Sequence, residues 1–192
     1  MEIQGSNFIL RKISSSDRDQ VAALANNRKI WLNVRDIFPY PYSIDDADFY
    51  INFLLEEERQ YTLAIECENA FAGVVDIVPM QGIYRLTAEI GYWLGEPFWG
   101  KGIMTEAVRL LTDYVFHHYE FIRIHCGVFS HNEGSMKVLE KAGYHKETIF
   151  KNAIIKNGDI IDEHRYCKLK DLKLNLIIIP KLIILSHNSF RL

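Results

Sequence analysis

Apolar positions along the chain change their period several times, and each change marks an element. FILRKI, at residues 8–13, is a short strand-like run. Ser14-Ser15-Ser16-Asp17 then offers hydroxyl and carboxylate caps before Val21, Leu24 and Ala25, whose spacing predicts a first helix. The polar and aromatic stretch NVRDIFPYPYS follows. Its Pro39 and Pro41 exclude helix and favour an extended residue before each, so it is expected to run over the surface as a candidate border of a pocket. Ser43 to Asp46 resembles a capping box with Asp in place of Glu. Beyond it, Tyr50, Phe53 and Leu54 mark one face of a second helix ending near Arg59.

From Tyr61 the period shortens. TLAIE, GVVDIV and LTAEIGYWL are apolar or alternating and are separated by glycine-bearing turns, which predicts three consecutive antiparallel strands. After GEPFWGKGIMTEAV (Gly95 to Val108), the spacing of Ala107, Leu110, Leu111, Tyr114 and Val115 predicts a helix from Met104 to His118. A strand from Ile122 to Val128 and a helix from Gly134 to Lys141 come next, and Gly143 suits the left-handed position past a helix end. In this strand, loop, helix, strand, helix unit the two strands should lie parallel. HKETIFKNAIIKNGDIIDEHRYCKL predicts two or three further strands with a turn at Asn157-Gly158. The tail from Asp171 to Leu192 is apolar but split by Pro180-Lys181, too short for a membrane span. An extra docked segment, a dimer contact and an adventitious extension all fit it. The domain is thus expected over residues 1–170.

Composition narrows the function classes. The chain has 192 residues, of which 48% are apolar and 24% charged, ordinary values for one soluble domain. A net charge of −3 supplies no basic surface for a nucleic-acid backbone. Cys67, Cys126 and Cys167 are odd in number and widely spaced, which suggests neither a disulfide framework nor a zinc site and fits a reducing, cytoplasmic compartment. No signal-peptide pattern opens the sequence, and no apolar run reaches the roughly 18 residues of a spanning helix. The seven histidines show no metal-ligand spacing. No nucleic-acid, membrane or metal partner is expected.

The informative stretch is the loop GEPFWGKGIMTEAV. Its first seven residues fit the P-loop formula, but Gly102 stands where an NTPase needs a Ser or Thr hydroxyl for magnesium. Gly100 and Gly102 still let the backbone curl round an anion, and the next helix presents free N–H groups at its positive end. That chemistry suits a diphosphate carried by an organic cofactor.

The order GYWLGEPFWGKGIMTEAV, strand IRIHCGV, then NEGSMKVLEKAGY resembles the GNAT family of N-acetyltransferases, particularly the branch that acetylates N-terminal residues of ribosomal proteins. The matching segments are Trp99 to Ala107 and Asn132 to Tyr144, with the early LR motif and Pro41 to Ala47 in support. The resemblance implies an α/β GNAT fold: a mixed sheet of six or seven strands, helices on both faces, and a cofactor cleft where parallel strands splay. It implies that backbone N–H groups around Gly100, Lys101, Gly102, Ile103, Met104 and Thr105 hold the acetyl-CoA pyrophosphate. Backbone groups of Tyr92, Trp93 and Leu94 would meet the pantetheine arm, and Asn132 and Ser135 would sit beside the cofactor and thioester. Pro97 departs from the Gln or Arg common in the family, which removes a side-chain contact but leaves the backbone site.

Acetyl transfer to an amine needs a proton acceptor, donors to the carbonyl oxygen and a proton for the leaving thiolate. Glu89, on one sheet face with Gly91 and Trp93, is the candidate base; a cross-strand ion pair is its other reading. The family's usual acid, a Tyr seven residues after the motif Asn, is replaced by Leu139. Ser135 is the candidate acid, or else only a helix first-turn residue. Tyr144 is expected to pack, Asp162 and Glu163 to be solvated charges or a cation site, and Cys126 to be a buried thiol. The expected acceptor is a protein N-terminus, with a polyamine or amino-sugar as the alternative. A non-catalytic CoA-binding module is the reading from another class. A monomer and a homodimer fit equally.

Overall fold

The computed structural model describes residues 1–56 and 61–171. Eight strands form one sheet in the order β1-β2-β3-β4-β5-β6-β8-β7: β1 is Ile3–Gln4, β2 Ile9–Lys12, β3 Thr62–Cys67, β4 Ala70–Pro79, β5 Thr87–Leu94, β6 Arg123–Phe129, β7 His145–Lys156 and β8 Asp159–Leu169. The expected six or seven strands are therefore corrected to eight. The two-residue β1 is too short to carry an alternation and exists only because Ile3 and Gln4 pair with Leu10 and Ile9. The expected antiparallel meander is β3-β4-β5. β5 and β6 run parallel, and β8 returns antiparallel between β6 and β7. Asn157 (φ 52°) and Gly158 (φ 88°) make the β7–β8 turn, where two successive positive φ values match the twist of the hairpin.

The helices are α1 (Arg18–Ala25), α2 (Arg28–Trp31), α3 (Ile44–Glu56), α4 (Ile103–His118) and α5 (Glu133–Lys141). Ser14 and Asp17 form a reciprocal capping box at a 3-10 turn leading into α1. The Ser43 hydroxyl accepts from Asp46 N–H, and the Asp46 carboxylate accepts from Ser43 N–H at 2.8 Å, which starts α3 as the sequence suggests. The short α2, capped by Asn27 on Lys29 N–H, gave no periodic signal. α3 buries Ala47, Ile51 and Leu54; Phe53 is exposed, which corrects the expected Tyr50-Phe53-Leu54 face. The expected helix end near Arg59 and the tail beyond Asp171 lie outside the described residues.

Both sheet faces carry helices. α4 buries Ile103, Met104, Ala107, Val108, Leu111, Val115 and Phe116 against the strands, joined there by Leu139 of α5. Each large apolar side chain in that layer contributes about 1.5–3 kcal/mol. On the opposite face Val21, Ala25, Ile30, Ala47, Ile51 and Leu54 pack on Ala64, Phe71, Val74 and Trp93. That second layer uses strand residues from β3, β4 and β5 only; among the described residues a helix reaches the β6-β8-β7 half of this face at the end of α2, where Trp31 lies over Lys156 of β7.

Candidate active site

The site begins where two parallel strands part. β5 pairs with β6 only through Thr87–Arg123, Ala88–Ile124 and Glu89–His125. Beyond that point β6 continues to Phe129 on β8 alone, while β5 continues to Leu94 on β4. A wedge therefore opens between the strands, with Glu89 and His125 at its apex. Gly95 N–H donates to Ala72 on the β4 side, whereas the Leu86 carbonyl accepts from Ile122 on the β6 side. Backbone groups alternate sides along a strand, so those of Tyr92 turn into the wedge and those of Trp93 turn to β4. The Leu94 carbonyl already accepts from the Trp99 indole at 2.6 Å. Of the three strand residues expected at a pantetheine arm, Tyr92 and the N–H of Leu94 face the wedge, while Trp93 faces β4.

The glycine loop closes the wide end of the wedge. A 3-10 turn over Glu96–Phe98 leads to Gly100 (φ 75°) and Gly102 (φ 79°), both left-handed, and α4 starts at Ile103. No side chain caps this helix. Among the described residues no hydrogen bond engages the backbone N–H groups from Gly100 to Thr105, while Glu106 N–H already donates to Gly102. A side chain added at Gly100 or Gly102 would meet no protein atom within 4 Å. Six convergent donors at the positive end of a 16-residue helix, facing open space, form an anion cradle that fits a diphosphate. Ile103 and Met104 bury their side chains, so only their N–H groups are on offer. Lys101 lies over the Phe98 ring at 5.6 Å.

On the β6 side, Asn132 caps α5 by accepting Ser135 N–H at 3.1 Å. The Ser135 hydroxyl is 2.7 Å from the Tyr92 hydroxyl, which spans the wedge from β5. Burial pushes the Tyr92 phenol well above its usual value, so it stays protonated. Leu139 is fully buried in the core, and Tyr144 is buried against Thr112 at 2.7 Å, so neither hydroxyl chemistry nor cofactor contact comes from those positions. Cys126 is buried, and its thiol is pushed up to about 12 by desolvation, which leaves it a poor nucleophile.

The sparsely covered β6-β8-β7 half of the face opposite α4 and the adjoining end of β5 hold most of the charged groups. Glu89 pairs with Arg35, brought in by the loop after α2. His125 Nδ1 lies 2.9 Å from Arg165 Nη1; a guanidinium only donates, so Nδ1 accepts and Nε2 keeps the proton, 3.4 Å from Met80 Sδ. Burial first, then the Arg165 charge, lowers the His125 pKa. Glu163, expected as a solvated charge or part of a cation site, is largely buried: its carboxylate covers Gly127, where an added Cβ would come within 2.7 Å of it, and it pairs with Arg165 at 2.5 Å. Asp162, its neighbour on β8 and so on the other face, meets Lys151 at 2.7 Å and Asn152 N–H at 2.9 Å. Lys156 is buried beneath the Trp31 ring and pairs with Asp36 at 2.7 Å, which ties the Trp31–Asp36 segment to the β7–β8 hairpin. Arg35 and the Tyr92 hydroxyl are the groups sequence reasoning missed, together with the seating of Glu163 on Gly127. Gly127 was the available signal, since a glycine inside a strand marks a close approach. Among the described residues, no three His, Cys, Asp or Glu side chains gather to hold a metal.

The family profile described as "Acetyltransferase (GNAT) domain" matches residues 7–145. The protein named "Probable N-acetyltransferase YjcK" from Bacillus subtilis (strain 168) is 42% identical over 176 residues, covering 85% of this chain and 93% of the relative. The spermidine N(1)-acetyltransferase of Escherichia coli (strain K12) is 27% identical over 161 residues, 82% of this chain and 83% of its own. Among solved structures, the RimL ribosomal L7/L12 alpha-N-protein acetyltransferase in complex with coenzyme A superposes with a TM-score of 0.78 at 25% identity, covering 88% of this chain and 98% of that one.

Proposed function

The chain belongs to the GNAT family and is an N-acetyltransferase that uses acetyl-CoA, and from that premise we propose that its acceptor is the N-terminal amine of a protein or peptide. The observation that carries this reading is the charge balance on the sheet face beside the wedge. The carboxylates nearest the wedge there already have cations: Glu89 with Arg35, Glu163 with Arg165 and Glu147 with Arg123, with Asp36 on Lys156 farther along the hairpin. A polyamine with several positive charges needs unpaired carboxylates to hold it, and the three carboxylates nearest the wedge, Glu89, Glu147 and Glu163, are each paired with an arginine. An α-amine titrates near 8 and is about one-quarter neutral at pH 7.5, whereas an alkylamine near 10.4 is neutral about once in a thousand molecules. The face therefore matches an acceptor that needs little help in losing its proton. The RimL likeness supports the same acceptor class.

In this reading the N–H groups from Gly100 to Thr105 hold the pyrophosphate, and the Tyr92 backbone orders the pantetheine arm. Bound acetyl-CoA supplies the activated acetyl group. Glu89, at the apex of the wedge, takes the amine proton through water, and Ser135 donates toward the sulfur. Placing amine and thioester side by side accounts for most of the acceleration, since well-oriented partners reach effective molarities of about 10⁵ M or more.

The test mixes the protein with acetyl-CoA and free thiol is measured with three acceptors: peptides with free N-termini, the same peptides N-blocked but carrying lysine, and spermidine. Turnover confined to free N-termini is expected. Turnover with spermidine and not with peptides would move the assignment to small amines, the class acted on by the 27%-identical relative.

A further inference from the structure

The hydroxyl pair that spans the wedge carries a further role. Tyr92 reaches from β5 and Ser135 from the first turn of α5, so their contact crosses the gap in which the strands no longer pair. The Tyr92 oxygen lies 2.7 Å from Ser135 Oγ and 3.3 Å from the Ser135 carbonyl. Two donor arrangements are geometrically available. In one, Ser135 donates to Tyr92 and the tyrosine proton turns to the carbonyl. In the other, Tyr92 donates to Ser135 Oγ, and the serine proton is free to point into the wedge. A carbonyl in a helical first turn is already the acceptor for the N–H four residues on, and the 3.3 Å contact is the longer one, so the second arrangement is favoured. The Asn132 side chain, held by Ser135 N–H, does not compete for the hydroxyl.

We propose that Tyr92 is a positioning residue for acetyl transfer: its phenol donates to Ser135 Oγ and thereby aims the serine proton at the departing sulfur. This rests on the reading of Ser135 as the thiolate's proton donor. As the C–N bond forms, the C–S bond breaks with its electron pair on sulfur. Glu89 has by then taken, through water, the proton that made the amine a cation. Sulfur takes the Ser135 proton, and the serine oxygen is refilled by the second proton the nitrogen sheds as the amide forms, so neither hydroxyl changes overall. Tyr92 keeps its own proton throughout, as a phenol held in a buried site does. A donor already receiving a hydrogen bond is itself a stronger donor, which is what Ser135 gains from Tyr92. Tyr92 thus fulfils from the opposite strand an arrangement for which Leu139, in the α5 core, has no hydroxyl.

The variants are Y92F, S135A and the double substitution, each first checked for a wild-type melting profile. Coenzyme A affinity is measured by calorimetry, the ionisation of the bound CoA thiol by its ultraviolet absorbance, and kcat with an accepted amine. Both single variants are expected to keep CoA affinity within about twofold and to make the bound thiol about tenfold harder to ionise. Each should lower kcat about tenfold, with the double variant no worse than either. The thiol titration needs no acceptor and decides the matter whatever the acceptor is. An effective S135A beside a silent Y92F overturns the role of Tyr92 alone. A silent S135A removes Ser135 from the chemistry and this role with it. Loss of CoA affinity in Y92F, or effects that multiply in the double variant, shows Tyr92 acting through packing and also overturns it.

Discussion

Gly102 offers a separation between strain and function. Its φ of 79° is left-handed, and an added Cβ meets no protein atom within 4 Å. Gly102→Ala therefore costs no clash, only the penalty of holding an L-residue in that region, about 1–2 kcal/mol. The alanine also loses less freedom on folding, which returns a fraction of that. A net loss near 1 kcal/mol lowers Tm by about 2–4 °C in a domain of this size. The effect on acetyl-CoA is larger. Alanine relieves its strain by rotating φ, which re-aims the N–H groups on either side, and its methyl enters the space in front of them. Each N–H to phosphate bond lost is worth about 1.5–3 kcal/mol, so CoA affinity should fall about tenfold to a hundredfold. Gly158→Ala is the control: its φ is 88°, its surroundings are equally open, and it lies at the tip of the β7–β8 hairpin. The two variants should melt alike, while calorimetry finds CoA binding lost only in G102A. Equal CoA affinity in G102A and wild type would refute the anion-cradle argument, and so would an equal loss in G158A.

Two further predictions concern stability. Asp17 is buried and receives Arg11 Nη1 and Nη2 at 2.8 and 2.7 Å and Ser14 N–H at 2.9 Å, while Arg11 Nε also pairs with Glu66 at 2.5 Å. Asp17→Ala strips the bidentate partner and the capping-box acceptor together but leaves Glu66, so about 2–4 kcal/mol should be lost. Calorimetric melting should show Tm lower by about 5–15 °C; a change under about 2 °C would contradict the account. His125 is held below its usual pKa by burial and by Arg165, and His164 is lowered by burial. Because the folded values lie below the unfolded value, the native state resists protonation, so stability is intact above pH of about 6.5 and declines as pH falls from there. Asp46, Glu147 and Asp162 are lowered carboxylates whose contribution is lost only at more acid pH, near 4 and below. The slope of denaturation midpoint against pH between about 6.5 and 5 should be shallower in His125→Gln than in wild type. Identical slopes would show that His125 is not the titrating group.

Much of the fold could be read from local pattern because local pattern is what decides it. α4 shows its three-and-four spacing because one helix face lies on the sheet, and the Asn157-Gly158 turn is legible because few residue pairs accept two positive φ values. The failures are equally physical. α3 packs with Val21 and Ala25 of α1 in the layer over β3 to β5, and that close approach selects Ala47 with Ile51 and Leu54 rather than the aromatic residues beside them. Periodicity weighs the large residues most and so turned the helix toward Phe53. β1 and α2 are shorter than one full period of the pattern that would have revealed them.

At the site the same boundary separates the cofactor side from the acceptor side. The glycine loop was legible because its demand is local: two left-handed residues and a helix start generate the donors without help from any distant side chain. Alternation also put Glu89 on the correct face. It could not show that Arg35, 54 positions earlier, would lie on that carboxylate, nor that Glu163 would cover Gly127 from the neighbouring strand. These contacts depend on β6-β8 register and on the Lys156–Asp36 tie that brings the Trp31–Asp36 segment over the hairpin. Acceptor choice in such a site is a property of charge balance, and charge balance is a sum over partners that only folding assembles. Read singly, Glu89 is a free base and Glu163 part of a cation site; read with Arg35 and Arg165, each is a neutralised carboxylate, and on the acceptor proposed above that balance suits an amine that arrives with a single charge.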